Sequence, residues 1–200
     1  MTASPAKVAA VVLAAGRSSR MAPRNKLLES FAGEPVIVKV VRCALCSGAR
    51  PVIVVTGHEA PRIAEALHGF DVALVHNPHF ADGMSTSLRA GVAALREDHD
   101  GALVMLGDMP QVAPADLKAL LAAFAAANDR GAICVPVREG RRGNPVLWGA
   151  AHFPDIMRIT GDVGAKHLLA ARADNVMEVP AESDGVLADI DGPADLPPQE

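Results

Sequence analysis

A three-layer α/β domain with a mostly parallel sheet is the fold class that this sequence predicts, and two patterns predict it. Short runs rich in Val, Ile and Leu recur without polar alternation, as strands covered on both faces do, and stretches of helical character separate them. In order, the strand runs are 8–13, 52–56, 72–75, 102–106, 132–137 and 186–190, with weaker ones at 145–147 and 176–179. The helical stretches are 35–47, 60–67, 85–95, 114–128 and 163–172. Pro35 and Pro114 suit first-turn positions, Gly48 suits a helix stop, and the Ala-rich run 117–127 has the highest intrinsic helix propensity in the chain. No fixed-period repeat, low-complexity linker or charge block interrupts this alternation, so a single domain over 1–200 is expected, with 197–200 as a frayed end. In an open α/β sheet, ligands collect outside the carboxyl ends of the strands, where loop amides and helix N-termini converge. The residues just after each strand are therefore the place to look for chemistry.

Composition narrows the function classes. The chain has 200 residues, 19 Lys+Arg against 23 Asp+Glu, a net charge of -4, 50% hydrophobic and 3% aromatic residues. That length can bury a sizeable core. The net charge argues against a nucleic-acid or membrane-surface partner, and a chain with no Tyr and one Trp has few faces on which bases could stack. Cys43, Cys46 and Cys134 are an odd set that does not form a secreted disulfide framework, and the apolar stretch 8–15 is too short for a signal core or a membrane span. A cytoplasmic small-molecule enzyme or binding module is the resulting expectation.

The first strand ends in Leu13-Ala14-Ala15-Gly16, and Arg17, Arg20, Arg24 and Lys26 follow within ten residues. Small residues where backbone must approach a ligand, followed by clustered cations in an acidic chain, suit a triphosphate. Walker A is excluded because no Gly precedes Lys26 and Leu27 follows it. The dinucleotide fingerprint is excluded because Gly16 stands alone. After the fourth strong strand comes Gly107-Asp108-Met109-Pro110, which puts a carboxylate at the sheet edge; one or two such groups, with phosphates and water, suffice for Mg²⁺. A second acidic pair, Asp189 and Asp191, lies near the C-terminus. Two residues apart on a strand would share a face, so spacing does not choose between them.

The run from Leu13 to Met21 followed by Lys26 resembles the signature of the nucleotidyltransferases related to the molybdenum cofactor guanylyl- and cytidylyltransferases. Gly-Asp-Met-Pro at 107–110 and Asp-Ile-Asp-Gly-Pro-Ala-Asp-Leu at 189–196 are similar to that family's metal-binding motif and to its ending. Three further segments resemble its molybdopterin-specific branch: Asn77 with Gly83-Met84-Ser85-Thr86-Ser87-Leu88, Arg142-Gly143-Asn144-Pro145, and Gly161-Asp162-Val163-Gly164-Ala165-Lys166. The chain departs from the family pattern at Ala22, usually Gly, and at Lys166, usually Arg. A Lys there is a point charge without Arg's bidentate fork.

The resemblance implies a Rossmann-like nucleotidyltransferase fold and transfer of a nucleotide from a triphosphate with Mg²⁺ as cofactor. It implies that Leu13, Ala14, Ala15, Gly16, Arg17, Arg20, Lys26 and Asp108 bind the nucleotide, with Arg20, Lys26 and Asp108 catalytic. Asp108 with Asp191 or Asp189 would hold the metal, with Asp191 favoured. Asn77, Gly83, Ser85, Ser87, Arg142, Asn144, Asp162 and Lys166 would bind a molybdopterin-type acceptor. Ala15 stands where the cytidylyl branch has Ala and the guanylyl branch has Gly, which implies CTP. A molybdoenzyme or its chaperone is the implied macromolecular partner. The spacing of Cys43 and Cys46 matches a redox motif, but the pair lies inside an apolar helical run and reads as structural; the seven His include no zinc-binding pattern.

Overall fold

The computed structural model describes residues 6–161 and 165–197. In chain order its elements are β1 (Val8–Ala14), the short strands β2 (Ser30–Phe31) and β3 (Glu34–Pro35), α1 (Val36–Ser47), β4 (Val52–Thr56), α2 (Ala60–Ala66), β5 (Ala73–His76), α3 (Met84–Ala93), β6 (Gly101–Leu106), α4 (Pro114–Ala127), β7 (Ile133–Arg138), β8 (Arg141–Arg142), β9 (Val146–Gly149), α5 (Phe153–Ile156), α6 (Lys166–Ala171) and β10 (Val176–Pro180). Pro114 opens α4, and Gly48 ends α1 in the left-handed region at φ 95°, which a residue without a side chain adopts at little cost.

The main sheet has eight strands in the order β10-β7-β9-β6-β1-β4-β5, with β8 paired to β7 beside this path. Strand β1 lies parallel to both β4 and β6, β4 parallel to β5, and β10 parallel to β7. Only β9 and β8 run antiparallel to their neighbours, which makes the sheet mixed but mostly parallel.

Alternate residues of the central strands feed two separate cores. Val8, Ala10, Val12 and Ala14 of β1 pack with Ile37 and Val41 of α1 and Leu117 and Leu120 of α4. Val11, with Ile53 and Val55 of β4, packs with Leu88 and Val92 of α3 and Ile156 of α5. Helices cover both faces, which is why these strands read as continuous apolar runs.

One expected strand is absent. Residues 186–190 form part of a 3-10 turn, Asp184–Leu187, followed by irregular chain. The segment is bound across the loop after β6 instead of pairing with a strand. The buried carboxylate of Asp116 accepts the Glu182 N–H and the Ser183 hydroxyl, and Gly185 sits so close to the Gln111 carbonyl that a side chain would collide with it. The Asn144 N–H donates to Val186 O at 2.8 Å and the Ile190 N–H to Asp108 O at 2.9 Å. Its apolar residues Val186 and Ile190 are buried there, which accounts for the strand-like pattern. Helix α6 begins at Lys166; residues 163 and 164 of the expected helix lie outside the described residues. Parallel β1, β4, β5 and β6 send the loops that follow them to one edge of the sheet.

Candidate active site

The site is assembled where β1 and β6 end side by side. The Gly107 N–H donates to Leu13 O at 2.9 Å, and a Cβ on Gly107 would lie 2.7 Å from that same oxygen. Only glycine lets β6 leave the sheet this close to β1, which brings Asp108 against the loop after β1. That loop is folded by its own polar groups. Ser18, at φ 52°, accepts the Lys26 N–H through Oγ at 3.1 Å and donates to Asn25 Oδ1 at 3.3 Å. Asn25, almost fully buried, caps the 3-10 turn Lys26–Leu28 by accepting the Leu27 N–H at 3.1 Å.

So held, Lys26 reaches across to the carboxylates. Its Nζ donates to Asp108 Oδ2 at 2.6 Å and to Ile190 O at 2.7 Å, and lies 3.9 Å from Asp191 Oδ1. Arg20 pairs with Asp191 Oδ2 at 2.7 Å. Behind Asp191, the Asp195 carboxylate accepts the N–H groups of Asp191 and Gly192 at 2.9 and 2.8 Å. These two bonds, with the Lys26 charge adding, hold the Asp195 carboxyl below the usual carboxylate range.

Two observations bear on what this end of the molecule could hold. Asp108 Oδ1 is buried with no hydrogen-bond partner, an arrangement that costs stability unless something else meets that oxygen. Gly16 has nothing within 4 Å of the point where a Cβ would stand and no positive φ, so the chain's own packing does not call for glycine there; the room belongs to the cleft. Asp108 and Asp191 fit a divalent cation of the Mg²⁺ type, which takes its remaining ligands from phosphate and water. Among the described residues, no group of three or more His, Cys, Asp or Glu side chains forms a self-sufficient metal cage.

The cleft has a volume of about 740 Å³. Of the residues expected to bind a nucleotide, Leu13, Ala15, Gly16, Arg17, Arg20, Lys26 and Asp108 line it, whereas Ala14 is buried in the core at the end of β1. Of the two C-terminal carboxylates, Asp191 lines the cleft and exposed Asp189 does not. With no strand at this point, the shared-face relation between them does not apply.

The expected acceptor residues are dispersed. Gly83 and Ser87 line the cleft. Asn77 is buried and internally bonded: Nδ2 donates to Thr86 Oγ1 at 2.8 Å and Ser87 Oγ at 3.0 Å, and Oδ1 accepts the His79 N–H at 3.0 Å. It ties the loop after β5 to α3. Ser85 is fully buried with its hydroxyl unpartnered. Arg142, on β8, pairs with Glu178 of β10 at 2.8 Å outside the cleft. Asn144 precedes β9, whose Val146 pairs with Val104, so it sits at the sheet edge near the end of β6 without lining the cleft. Lys166 is exposed at the start of α6, and Asp162 lies outside the described residues. The cleft also includes residues to which the sequence assigned no individual role, Ser18, Phe80 and Gly161 among them. A polar residue just before Lys26 was the one legible sign of the Asn25 cap.

Cys43 is buried, donates through Sγ to Val112 O at 3.2 Å, and has its thiol pushed up to about 12 chiefly by burial. Cys46 is exposed, and neither forms a disulfide. No helix among the described residues is long and apolar enough to cross a membrane.

Known proteins superpose on this chain or resemble it in sequence. A nucleotidyl transferase from Methanothermobacter thermautotroptrophicus superposes with a TM-score of 0.82 at 30% identity, over 94% of each chain. Rv0371C from Mycobacterium tuberculosis H37Rv, in complex with manganese, superposes with a TM-score of 0.72 at 29% identity, over 88% of each chain. Bifunctional protein GlmU from Kineococcus radiotolerans is 34% identical over 174 residues, 85% of this chain and 34% of that protein. The chain spans 24% to 34% of the length of the GlmU proteins it matches. Residues 10–176 match the family model described as a MobA-like NTP transferase domain. From β1 and its cation-bearing loop through to the start of β10, the chain belongs to the MobA-like NTP transferase family of nucleotidyltransferases.

Proposed function

We propose that the protein transfers CMP from CTP to the terminal phosphate of molybdopterin or the molybdenum cofactor, releasing pyrophosphate, with Mg²⁺ as the divalent ion. The observation that carries this reading is the convergence of Lys26 and Arg20 with Asp108 and Asp191 in a cleft that Gly16 also lines. The triphosphate lies along the 13–20 loop. An acceptor phosphomonoester is already anionic near neutral pH, so no nucleophile-activating triad is required; in-line placement and charge neutralisation suffice. The acceptor oxygen forms a bond to the α-phosphorus as the bond to the bridging oxygen of pyrophosphate breaks. The leaving charge develops beside Lys26 Nζ and the Arg20 guanidinium, which give up their ion pairs with the carboxylates to meet it. Asp108 and Asp191 would hold the metal, which supplies Lewis-acid polarisation of the phosphates when bound. Gly83 and Ser87, which line the cleft, are the acceptor-side residues in reach of it.

Ala15 supports CTP over GTP, because a side chain at this position narrows the base end of the cleft and disfavours a purine more than a pyrimidine. Ala15→Gly is expected to raise GTP turnover relative to CTP. An assay of pyrophosphate release with CTP, Mg²⁺ and molybdopterin tests the whole reading. Release only with a sugar phosphate would assign a different acceptor, and tight CTP binding without release on any acceptor would make the protein a nucleotide carrier. Delivery of the product to a molybdoenzyme or its chaperone in the cytoplasm belongs to the same proposal.

A further inference from the structure

Discrimination between nucleobases is assigned to position 15 alone by the reading above, but Ala15 presents almost nothing to the cleft: it is 4% exposed. A direct steric filter needs its methyl group to face the ligand. The methyl also packs against Gly57, the residue after β4, which has no side chain of its own. A Cβ on Gly57 would stand 2.8 Å from Ala15 Cβ, 2.6 Å from Phe80 Cβ and 2.7 Å from Phe80 Cγ, far inside contact distance for each. Ala15 and Phe80 therefore close on the same point from two sides, and the missing side chain of Gly57 is what allows it. The Ala15 carbonyl accepts the His58 N–H at 3.2 Å, which fixes the loop after β4 to the loop after β1 at this place.

Phe80, half-buried where Ala15 is buried, also lines the cleft. The Arg17 guanidinium lies over its ring at 5.7 Å from the centroid and the His58 ring sits 6.1 Å away, so the ring is braced by a cation and a second aromatic group. The loop that carries it is pinned to α3 by the buried Asn77 amide. A braced aromatic face packed on Gly57 beside the Ala15 side chain is a suitable boundary for a planar base.

We infer that Phe80 is the specificity-determining wall of the nucleobase site, and that Ala15 acts on base size through Phe80 by way of the hollow at Gly57. The inference rests on the reading of the cleft as a CTP site. Removing the Ala15 methyl lets the Phe80 ring settle toward Gly57 and widens the base end; enlarging Gly57 pushes the ring into the cleft and narrows it.

Calorimetric titration of CTP and GTP, each with Mg²⁺, into wild type, Ala15→Gly, Phe80→Ala and the double variant tests this. Phe80→Ala is expected to raise GTP affinity relative to CTP by about tenfold, the scale of one fitted pocket contact. Ala15→Gly is expected to do the same in the wild-type background and to add less than twofold once Phe80 is gone. Equal weakening of both nucleotides by Phe80→Ala, or an Ala15 effect of full size in its absence, overturns the wall while leaving a direct filter at position 15 standing. Absence of any CTP preference in wild type overturns the CTP reading and the wall with it. Phe80→Leu, which preserves apolar packing, carries the same test with a smaller shift if thermal melting shows Phe80→Ala to be unfolded.

Discussion

At the scale of single residues, the cations of the site already have partners. Lys26 bridges Asp108 and the Ile190 carbonyl, and Arg20 holds Asp191, so the carboxylates are neutralised before any ligand arrives. On the proposed function, the cations turn to phosphate as the carboxylates turn to the ion, so that nucleotide and metal favour each other's binding. Lys26→Met keeps the length and apolar stem and removes the charge. It is expected to lower the rate of pyrophosphate release about 10²-fold, the usual loss when one preorganised charge donor is removed. The same variant is expected to bind Mn²⁺ more tightly in the absence of nucleotide, since Asp108 is freed. Titration of Mn²⁺ by paramagnetic resonance alongside the rate measurement checks both, and a rate within threefold of wild type would remove Lys26 from the leaving-group path. Asn25 and Ser18 do nothing chemical in this account; they fold the loop so that Lys26 points inward.

At the scale of elements, the C-terminal segment is the part that completes the site from a distance. It crosses the loop after β6, anchored by Asp116 at the start of α4, and its Ile190 N–H on the Asp108 carbonyl sets Asp191 beside Lys26. Asp116 is 3% exposed, and its loss leaves the Glu182 N–H and the Ser183 hydroxyl unpaired. Asp116→Ala is expected to lower stability by about 1–3 kcal/mol in urea denaturation and, because Asp191 loses its placement, to weaken Mn²⁺ binding as well. Asp116→Asn, which retains an acceptor, should fall between. Unchanged metal binding in a clearly destabilised Asp116→Ala protein would confine the anchor to a structural role.

At the scale of the whole molecule, ion pairs spread over the surface set the response to acid. Glu59 is held below its ordinary value by Arg62 and then Asn25, Asp98 by Lys7, Asp155 by Arg172, and Asp195 by the Gly192 and Asp191 amides. A carboxyl lowered in the folded state contributes stability above its unfolded value, and that contribution is lost as pH falls through the folded one. Melting temperature is thus expected to be level down to about pH 5 and to fall below about pH 4, more weakly in high salt because the groups are exposed; a melting temperature that rises on acidification would contradict these pairs. The sheet, the alternation of strands with helices and the identities of Gly16, Lys26 and Asp108 were legible in the sequence, because burial on two faces and the loop after a parallel strand leave local patterns. The antiparallel insertion of β9 was not, since strand direction depends on pairing partners far along the chain. Residues 186–190 carry a strand's apolar content, but Asp116 and the space at Gly185 bind them as an irregular strap, and that choice also separates Asp191 from Asp189. Asn77 shows the same division: its position after a strand was evident, while the two hydrogen bonds to Thr86 and Ser87 that turn it inward exist only once α3 is packed beside it. The sequence by itself determined the layered fold, the family and the residue types that meet a polyphosphate, because these rest on local periodicity and on motifs of adjacent residues. The tertiary structure alone decided which carboxylate joins Asp108 and that Phe80 stands against Ala15, because both depend on contacts between segments more than forty residues apart in the chain.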